Sequence, residues 1–586
     1  MHPKFFHLFL RTGITQFILI ILLVFITGCG RNQKTEFDKL TDAFVQWYFK
    51  SWPVAATQTG FHSHDAEFGK YDKDSETEIL ADLKRFNIEL SQIDPAILPE
   101  NDQIDYQILS HSINGLIFDI VKVKKIQWSP QFVPSIIGGG LYSLIEREFA
   151  PMEVRVQALE SRLSQVPRVV SELQNLLVEA PEIYVETAIK QTDGLIGSII
   201  DIPLEIRTDN STFDRIENHI SAAVKSLTQY RDWLQNGPLQ NHPRDFRLGE
   251  TLFREKFKYA VTESMTPEVL FEQAQSSLIS TQDEMFRLAL PEYLSKNDEP
   301  VWVTRSDTLN VVKWVLDRIA VKHVGRDKVV QNVRDTIDEL TQFIQAHHIV
   351  TLDDSRPLII REMPAYMQGV SVANLDAPGA LEKNQAVYYN VSPIPEDWAS
   401  TKVESFLREY NDISVKMLSI HEALPGHYVQ LSYAQREPSV IRAIFENGSM
   451  IEGWAHYAEG MMINAGFGNG DPNYEIVQKK WALRGIINAI IDQQIHAGSM
   501  SKDEVIKFMV EQGFQETAEA EGKWIRAQLT SCQLSTYFTG TLEMWKLRKD
   551  YEQLKGRDFN LAEFHESVLS FGSIPIHYIR KEMLGE

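Results

Sequence analysis

The seven residues His421-Glu422-Ala423-Leu424-Pro425-Gly426-His427 constrain this chain more than any other stretch. Two histidines can hold a metal ion through ring nitrogens, and a glutamate beside the first can take a proton from metal-bound water. On a regular helix such a pair sits four residues apart, on one face. Here the spacing is six. Six steps of roughly 100° turn the second ring about 120° away from the first, so a straight helix cannot aim both at one ion. Pro425 cannot donate to the carbonyl of His421 and clashes with it. Gly426 permits a turn that other residues resist. The stretch therefore predicts a helix broken at Pro425-Gly426, with His427 returned to the metal. The plainer alternative is a helix end with no metal.

A second element strengthens the metal reading. Glu452, His456 and Glu459 fall on one helix face. Around them lie Met450, Ile451, Trp454, Ala455, Ala458, Met461 and Met462, which are apolar. Charges on a largely buried helix need a partner or a metal.

Glu409-Tyr410-Asn411, the heptapeptide with Tyr428-Val429-Gln430 after it, and Glu452-Gly453-Trp454-Ala455 together resemble a bacterial family named domain of unknown function 885. That family is grouped by similarity with the gluzincin metallopeptidases. The resemblance covers most of the chain after the N-terminus and is strongest from Arg361 to Arg580. It implies a predominantly helical fold and a zinc-dependent (Zn2+), peptidase-like site, and it supplies no substrate. Carried over by residue, His421, His427 and Glu452 resemble the zinc ligands and Glu422 the general base. Asp492 and His496 match an Asp and a His that recur in the family. Arg526 and the run Gln533 to Gly540 resemble a segment ending here as Tyr537-Phe538-Thr539-Gly540. The chain departs from the family just before that run, with Ser531-Cys532 where Pro-Gly is usual. For the donor to a tetrahedral oxyanion, the resemblance ranks Tyr537 first, then His496, then His456. His456 and Asp492 could instead orient a ligand. Gln430 and Tyr389 are further candidates for supporting the ligands or touching substrate.

The N-terminus reads as an address. Lys4 and Arg11 flank an apolar run, Phe17 to Ile26, that is too short to span a bilayer comfortably. Ile26-Thr27-Gly28-Cys29 follows and resembles a bacterial lipoprotein signal. Residues 1–28 would then be removed and a lipid attached to Cys29, tethering a soluble body to the membrane surface. Gly30, in place of an Asp, points to the outer membrane facing the periplasm. An uncleaved anchor helix is the alternative. Cys532 is the second of two cysteines; with Cys29 acylated no internal disulfide can form, and Cys532 reads as a small buried apolar residue.

The body reads as helix. Leu159, Leu163, Val166, Val170, Leu173 and Leu177 make one apolar stripe, with Pro167 inside it. Phe406, Tyr410, Ile413, Met417 and Ile420 make another that runs into His421. Extended structure is expected at Pro357–Glu362 and Gln385–Val391. Such a strand either borders the cleft and pairs with an extended substrate or closes an internal hairpin. Loops are expected at Asn236-Gly237-Pro238 and Asn297-Asp298-Glu299-Pro300.

The expected fold is mainly α: a large helical protein with a small β-sheet beside the metal-binding helices. An N-terminal helical lobe over 29–248 would precede a zincin-like catalytic lobe over 249–586. The net charge of −22 speaks against a nucleic-acid partner. The expected function is a lipid-anchored zinc hydrolase of the bacterial cell envelope acting on a peptide substrate. The alternatives are a zinc amidase acting on cell-wall peptides and an inactive binding lipoprotein.

Overall fold

The computed structural model describes residues 33–585, apart from 207–209, 238, 240–242, 298–303, 354, 364–372, 384 and 438. The leader, Cys29, Pro238 and the loop residues Asp298–Pro300 lie outside the described residues. The protein is mainly helical, with one small sheet. No helix among the described residues is long and apolar enough to cross a membrane.

Two apolar cores organise the helices. The helices Phe132–Glu146, Met152–Leu176, Glu182–Glu205 and Asn210–Asn236 pack around one of them. Leu163, Val166, Leu227 and Tyr230 at its centre are fully buried. Met152–Leu176 continues through Pro167 and buries five of its six stripe residues; Leu177, just past its end, packs at the margin. The larger core joins Phe37 to Ile113 with Phe253 to Ile579, so the first helices of the chain pack against the C-terminal half.

The sheet has three strands, β1 (Leu358–Glu362), β2 (Ala373–Asp376) and β3 (Val387–Val391). β3 is central. It pairs in parallel with β1, Ile360 opposite Tyr389, and antiparallel with β2, Leu375 opposite Tyr389. The two strands expected from sequence are therefore neighbours but not a hairpin. β2 lacks a β-rich run, and only its pairing with β3 makes it a strand.

Five helices carry the site: α1 (Asp412–Glu422), α2 (His427–Ala434), α3 (Gly448–Asn464), α4 (Pro472–His496) and α5 (Gln533–Lys555). The series from Phe406 to Ile420, expected as one stripe, is split between Ser400–Glu409 and α1. Asn411 makes the split. Its side-chain oxygen accepts from the N–H groups of Ile413 and Ser414, which starts a new helix. Asn447 caps α3 and Asp471 caps α4 in the same way. α5 is started from a distance: Asp492 of α4 accepts from the N–H groups of Cys532 and Ser535 and from the Ser535 hydroxyl. Cys532 adopts the left-handed conformation there, φ 66°, a region that favours glycine.

Candidate metal centre

α1 ends at Glu422, and the chain folds back at once. Ala423 and Leu424 both donate to the Ser419 carbonyl, and Gly426 donates to that of Ile420 at 2.9 Å. A Cβ on Gly426 would lie 1.9 Å from the carbonyl oxygen of His421, so only glycine allows this approach. Trp454 of α3 pins the turn from outside through its indole N–H, 2.9 Å from the Pro425 carbonyl. α2 begins at His427. The imidazoles of His421 and His427 are thereby brought to 4.8 Å between centroids, nearly perpendicular.

Glu452, on α3, completes the group. Its Oε2 lies 3.7 Å from Nε2 of His421 and 3.7 Å from Nε2 of His427. That oxygen is buried and has no hydrogen-bond partner, and His427 Nδ1 has none either. A carboxylate oxygen between two ring nitrogens, satisfied by neither, is what a cation held among the three would satisfy. These residues therefore fit a divalent metal with two nitrogen donors and one oxygen donor. His427 and Glu452 keep 13% and 19% of their side-chain surface exposed, so the cluster opens to solvent on that side.

Charge in the protein alone fits the same picture. Burial opposes a proton on His421, yet the nearby Glu452 carboxylate and the hydrogen bond to Glu459 prevail and raise its pKa to about 10. Burial likewise opposes ionisation of Glu452, but the neighbouring His421 and His427 rings hold it at about 2. Burial and the His421 charge push His427 down to about 4, leaving a neutral ring with a lone pair to give. The cluster holds one positive charge, and it sits on His421. Burial raises Glu422 to about 7, with the His421 charge and the Leu375 backbone N–H working against it. The Leu375 contact puts β2, not a strand foreseen from sequence, beside the candidate base.

Glu459 shares the helix face of Glu452 and His456, as the sequence spacing predicts, and its contacts give it a role that the spacing alone does not. One of its oxygens accepts from His421 Nδ1 at 2.8 Å and lies 3.1 Å from His456 Nδ1. It is fully buried. A carboxylate on the far nitrogen of a ligating histidine fixes which nitrogen faces the metal. His456 reaches the ligand through Glu459, and its ring stands 4.9 Å from that of His421.

The remaining candidates divide. Tyr537, on α5, packs its ring 5.6 Å from that of His456 and lies near enough to Glu452 to feel its charge. Its hydroxyl accepts from Arg526 at 2.8 Å. Tyr389 is fully buried beneath α1, its hydroxyl 3.4 Å from Ser419 Oγ, and cannot touch substrate. Gln430 is buried too and donates to Ser573, behind the cluster. Asp492 holds the start of α5 and so sets where Tyr537 stands. His496 is not brought to the cluster. Gly485 faces His456, and His496 lies eleven residues further along α4, roughly 16 Å away. It bonds the Ala527 carbonyl at 2.8 Å and packs against Phe246 and Phe253.

A family model described as bacterial protein of unknown function (DUF885) matches residues 53–583. No curated protein matches the chain. Solved structures resemble it, among them the following two. One is described as a putative lipoprotein of unknown function from Shewanella oneidensis. It is 33% identical with a TM-score of 0.80, the match covering 94% of this chain and 99% of that one. The other is described as a putative lipoprotein from Colwellia psychrerythraea. At 16% identity and a TM-score of 0.76, over 95% of this chain and 98% of that one, it is a likeness of fold.

Proposed function

The chain belongs to DUF885, a bacterial family whose description assigns no reaction, and from the site we propose a zinc-dependent hydrolase that cleaves peptide bonds. One observation carries this reading: the unsatisfied Glu452 oxygen shared by His421 and His427, with the carboxyl group of Glu422 beside them. Two imidazoles and one carboxylate are the protein ligands of many catalytic zinc sites, which keep a further position open. Zinc there would polarise a carbonyl and acidify a water molecule.

The chain's own residues supply the rest. Glu422 takes the proton from the attacking water; a pKa of about 7 in the protein alone suits a base working near neutrality. Glu459 holds His421 with Nε2 toward the ligand position. Tyr537 is the proposed donor to the developing oxyanion. Arg526 donates to the tyrosine oxygen and leaves the phenolic proton free to point elsewhere.

The proposed location is the cell envelope. Cys29 follows a leader that resembles a lipoprotein signal, and the relative at 33% identity is itself described as a putative lipoprotein. We place the lipid on Cys29 and the body at the outer membrane, facing the periplasm.

The test of the reaction is a peptide-library digest of the protein from residue 30 onward, beside metal analysis. The expected result is close to one zinc per chain and cleavage that Glu422→Gln abolishes while keeping the metal. No bound transition metal after zinc loading would end the reading. Labelling of the intact chain with a radioactive fatty acid, lost in Cys29→Ala, tests the anchor.

A further inference from the structure

A cavity of about 330 Å³ lies away from the metal cluster. It sits between the helices Glu100–Phe118 and Glu250–Ala260, the turn that precedes α3 and the start of the last helix, Ile576–Leu584. None of the residues gathered around the cluster lines it. Its volume is at the small end of the range for small-molecule sites, about 300–1,000 Å³. Four aromatic rings, Tyr48, Tyr259, Phe445 and Tyr578, stand in its wall. Tyr48 and Phe445 meet edge to face with centroids 5.4 Å apart, which holds both rings in place.

The same wall carries three carboxylates, Asp119, Glu263 and Glu446, and two ammonium groups, Lys256 and Lys258. They do not cancel where they stand. Lys256 donates to Ser531 at 2.6 Å, and its charge and that of Lys125 act on Asp119. Lys258 is exposed. Glu263 lies 3.0 Å from Nδ1 of His111. Glu446 has only a hydroxyl: Ser573 Oγ donates to it at 3.4 Å and itself accepts from Gln430 at 2.8 Å. Behind Thr262, Glu543 is held by hydroxyls alone, those of Thr262 and Ser264. Among the described residues no cation acts on Glu446 or Glu543. The Glu446 side chain is exposed, yet enclosure by protein raises its pKa. A group that solvent reaches and protein surrounds faces into the cavity. His577 adds a ring nitrogen, Nδ1, that is buried and has no hydrogen-bond partner.

We propose that this cavity binds an organic ammonium ion, a protonated amine on a small apolar body, with its charge at Glu446 and its body among the four rings. A carboxylate in a poorly hydrated wall gains most from a cation that also donates hydrogen bonds to it. Ring faces attract the same charge and cover the apolar part. An anion would meet Glu446 and Glu263, and a neutral molecule would leave the Glu446 charge uncompensated. The site stands apart from the hydrolase reading, because none of its groups takes part in that chemistry.

The test compares hexylammonium with hexanol and hexanoate, which share its apolar body and differ in charge. Each is titrated by ligand-observed NMR against the chain from residue 30 onward, with and without zinc, at about pH 8, where an alkylamine is protonated. The expected result is that hexylammonium binds at least about tenfold tighter than hexanol, with hexanoate weakest and zinc without effect. Glu446→Gln, close in size, should bring the preference for the ammonium below about threefold, and Glu446→Asp should keep it. Ser112→Trp fills the cavity and leaves its acids in place, so it should abolish binding of amine and alcohol alike. No binding, or an ammonium held no tighter than the alcohol, overturns the proposal. So does a preference that survives Glu446→Gln, one that Glu263→Gln removes instead, or binding untouched by Ser112→Trp. Ammonium chloride competing as well as hexylammonium overturns it too, since the rings would then play no part. Binding that appears only with zinc would move the amine to the metal cluster and likewise end it.

Discussion

Glu459 accepts the Nδ1–H of His421 at 2.8 Å from a position with no solvent exposure. The bond decides which nitrogen of His421 is left for a ligand, and it raises the electron density of the ring. Removing the negative charge at constant size should therefore weaken metal binding without dismantling the helix pair. We expect Glu459→Gln to lower zinc affinity by roughly 10- to 100-fold, measured by competition with a chelator of known affinity. Unchanged affinity would mean that His421 is aimed by the turn at Gly426 alone.

The same histidine sets the pH dependence of metal loading. His421 keeps its second proton up to about pH 10, because the Glu452 carboxylate nearby and the hydrogen bond to Glu459 outweigh burial. Glu452 is ionised above about 2, and His427 is neutral above about 4. Above the Glu422 pKa of about 7, where that carboxyl has no proton left to lose, a metal therefore displaces one proton, from His421. A raised pKa means the competing proton is present below that pKa, so affinity rises with pH. The expected slope is about tenfold per pH unit above the Glu422 pKa of about 7, levelling off near the His421 pKa of about 10. Calorimetry in buffers of different protonation enthalpy should find one proton released per metal at about pH 8.5, between the Glu422 and His421 values. A count of zero would remove His421 from the ligand set.

Much of this site was legible because its geometry is local. Six-residue spacing with Pro425-Gly426 inside it demands a broken helix, and the chain breaks there. Stripes such as Leu159 to Leu173 are buried because a helix has one period and one apolar face. What escaped depends on distant partners. β2 has no strand composition and exists by pairing with β3. Glu459 was visible on the face of Glu452 and His456, but its role depends on α1 lying against α3. His496 was over-read from resemblance, although α4 carries it roughly 16 Å past Gly485. The break before α1 did have a signal: Asn411 ahead of Asp412 is a helix start.

Tyr537 offers a kinetic test. Its ring position is set by His456 on one side and by Arg526 on the other. Tyr537→Phe keeps the ring and loses only the hydroxyl. If that hydroxyl donates to the oxyanion, kcat should fall by roughly 10²–10³ with little change in KM. A rise in KM at constant kcat would instead make Tyr537 a binding residue.

The closeness of α3 and α5 gives a stability prediction with its own control. A Cβ on Gly453 would lie 2.4 Å from Gly540 Cα, and one on Gly540 would lie 1.8 Å from the Ser449 carbonyl oxygen. Both obstacles are backbone and cannot turn aside as a side chain would. Gly453→Ala must therefore push α3 and α5 apart, at a cost of about 3 kcal/mol or more. Glu452 is the next residue, so the variant should also lose metal affinity. Gly522, within Thr517–Leu529, has nothing within 4 Å of where its Cβ would stand. There the same substitution relieves a helical glycine and should stabilise by up to ~1 kcal/mol. Thermal unfolding of the two variants should move in opposite directions from wild type. If Gly453→Ala unfolds no earlier than wild type, the two helices do not pack as closely as their glycines allow.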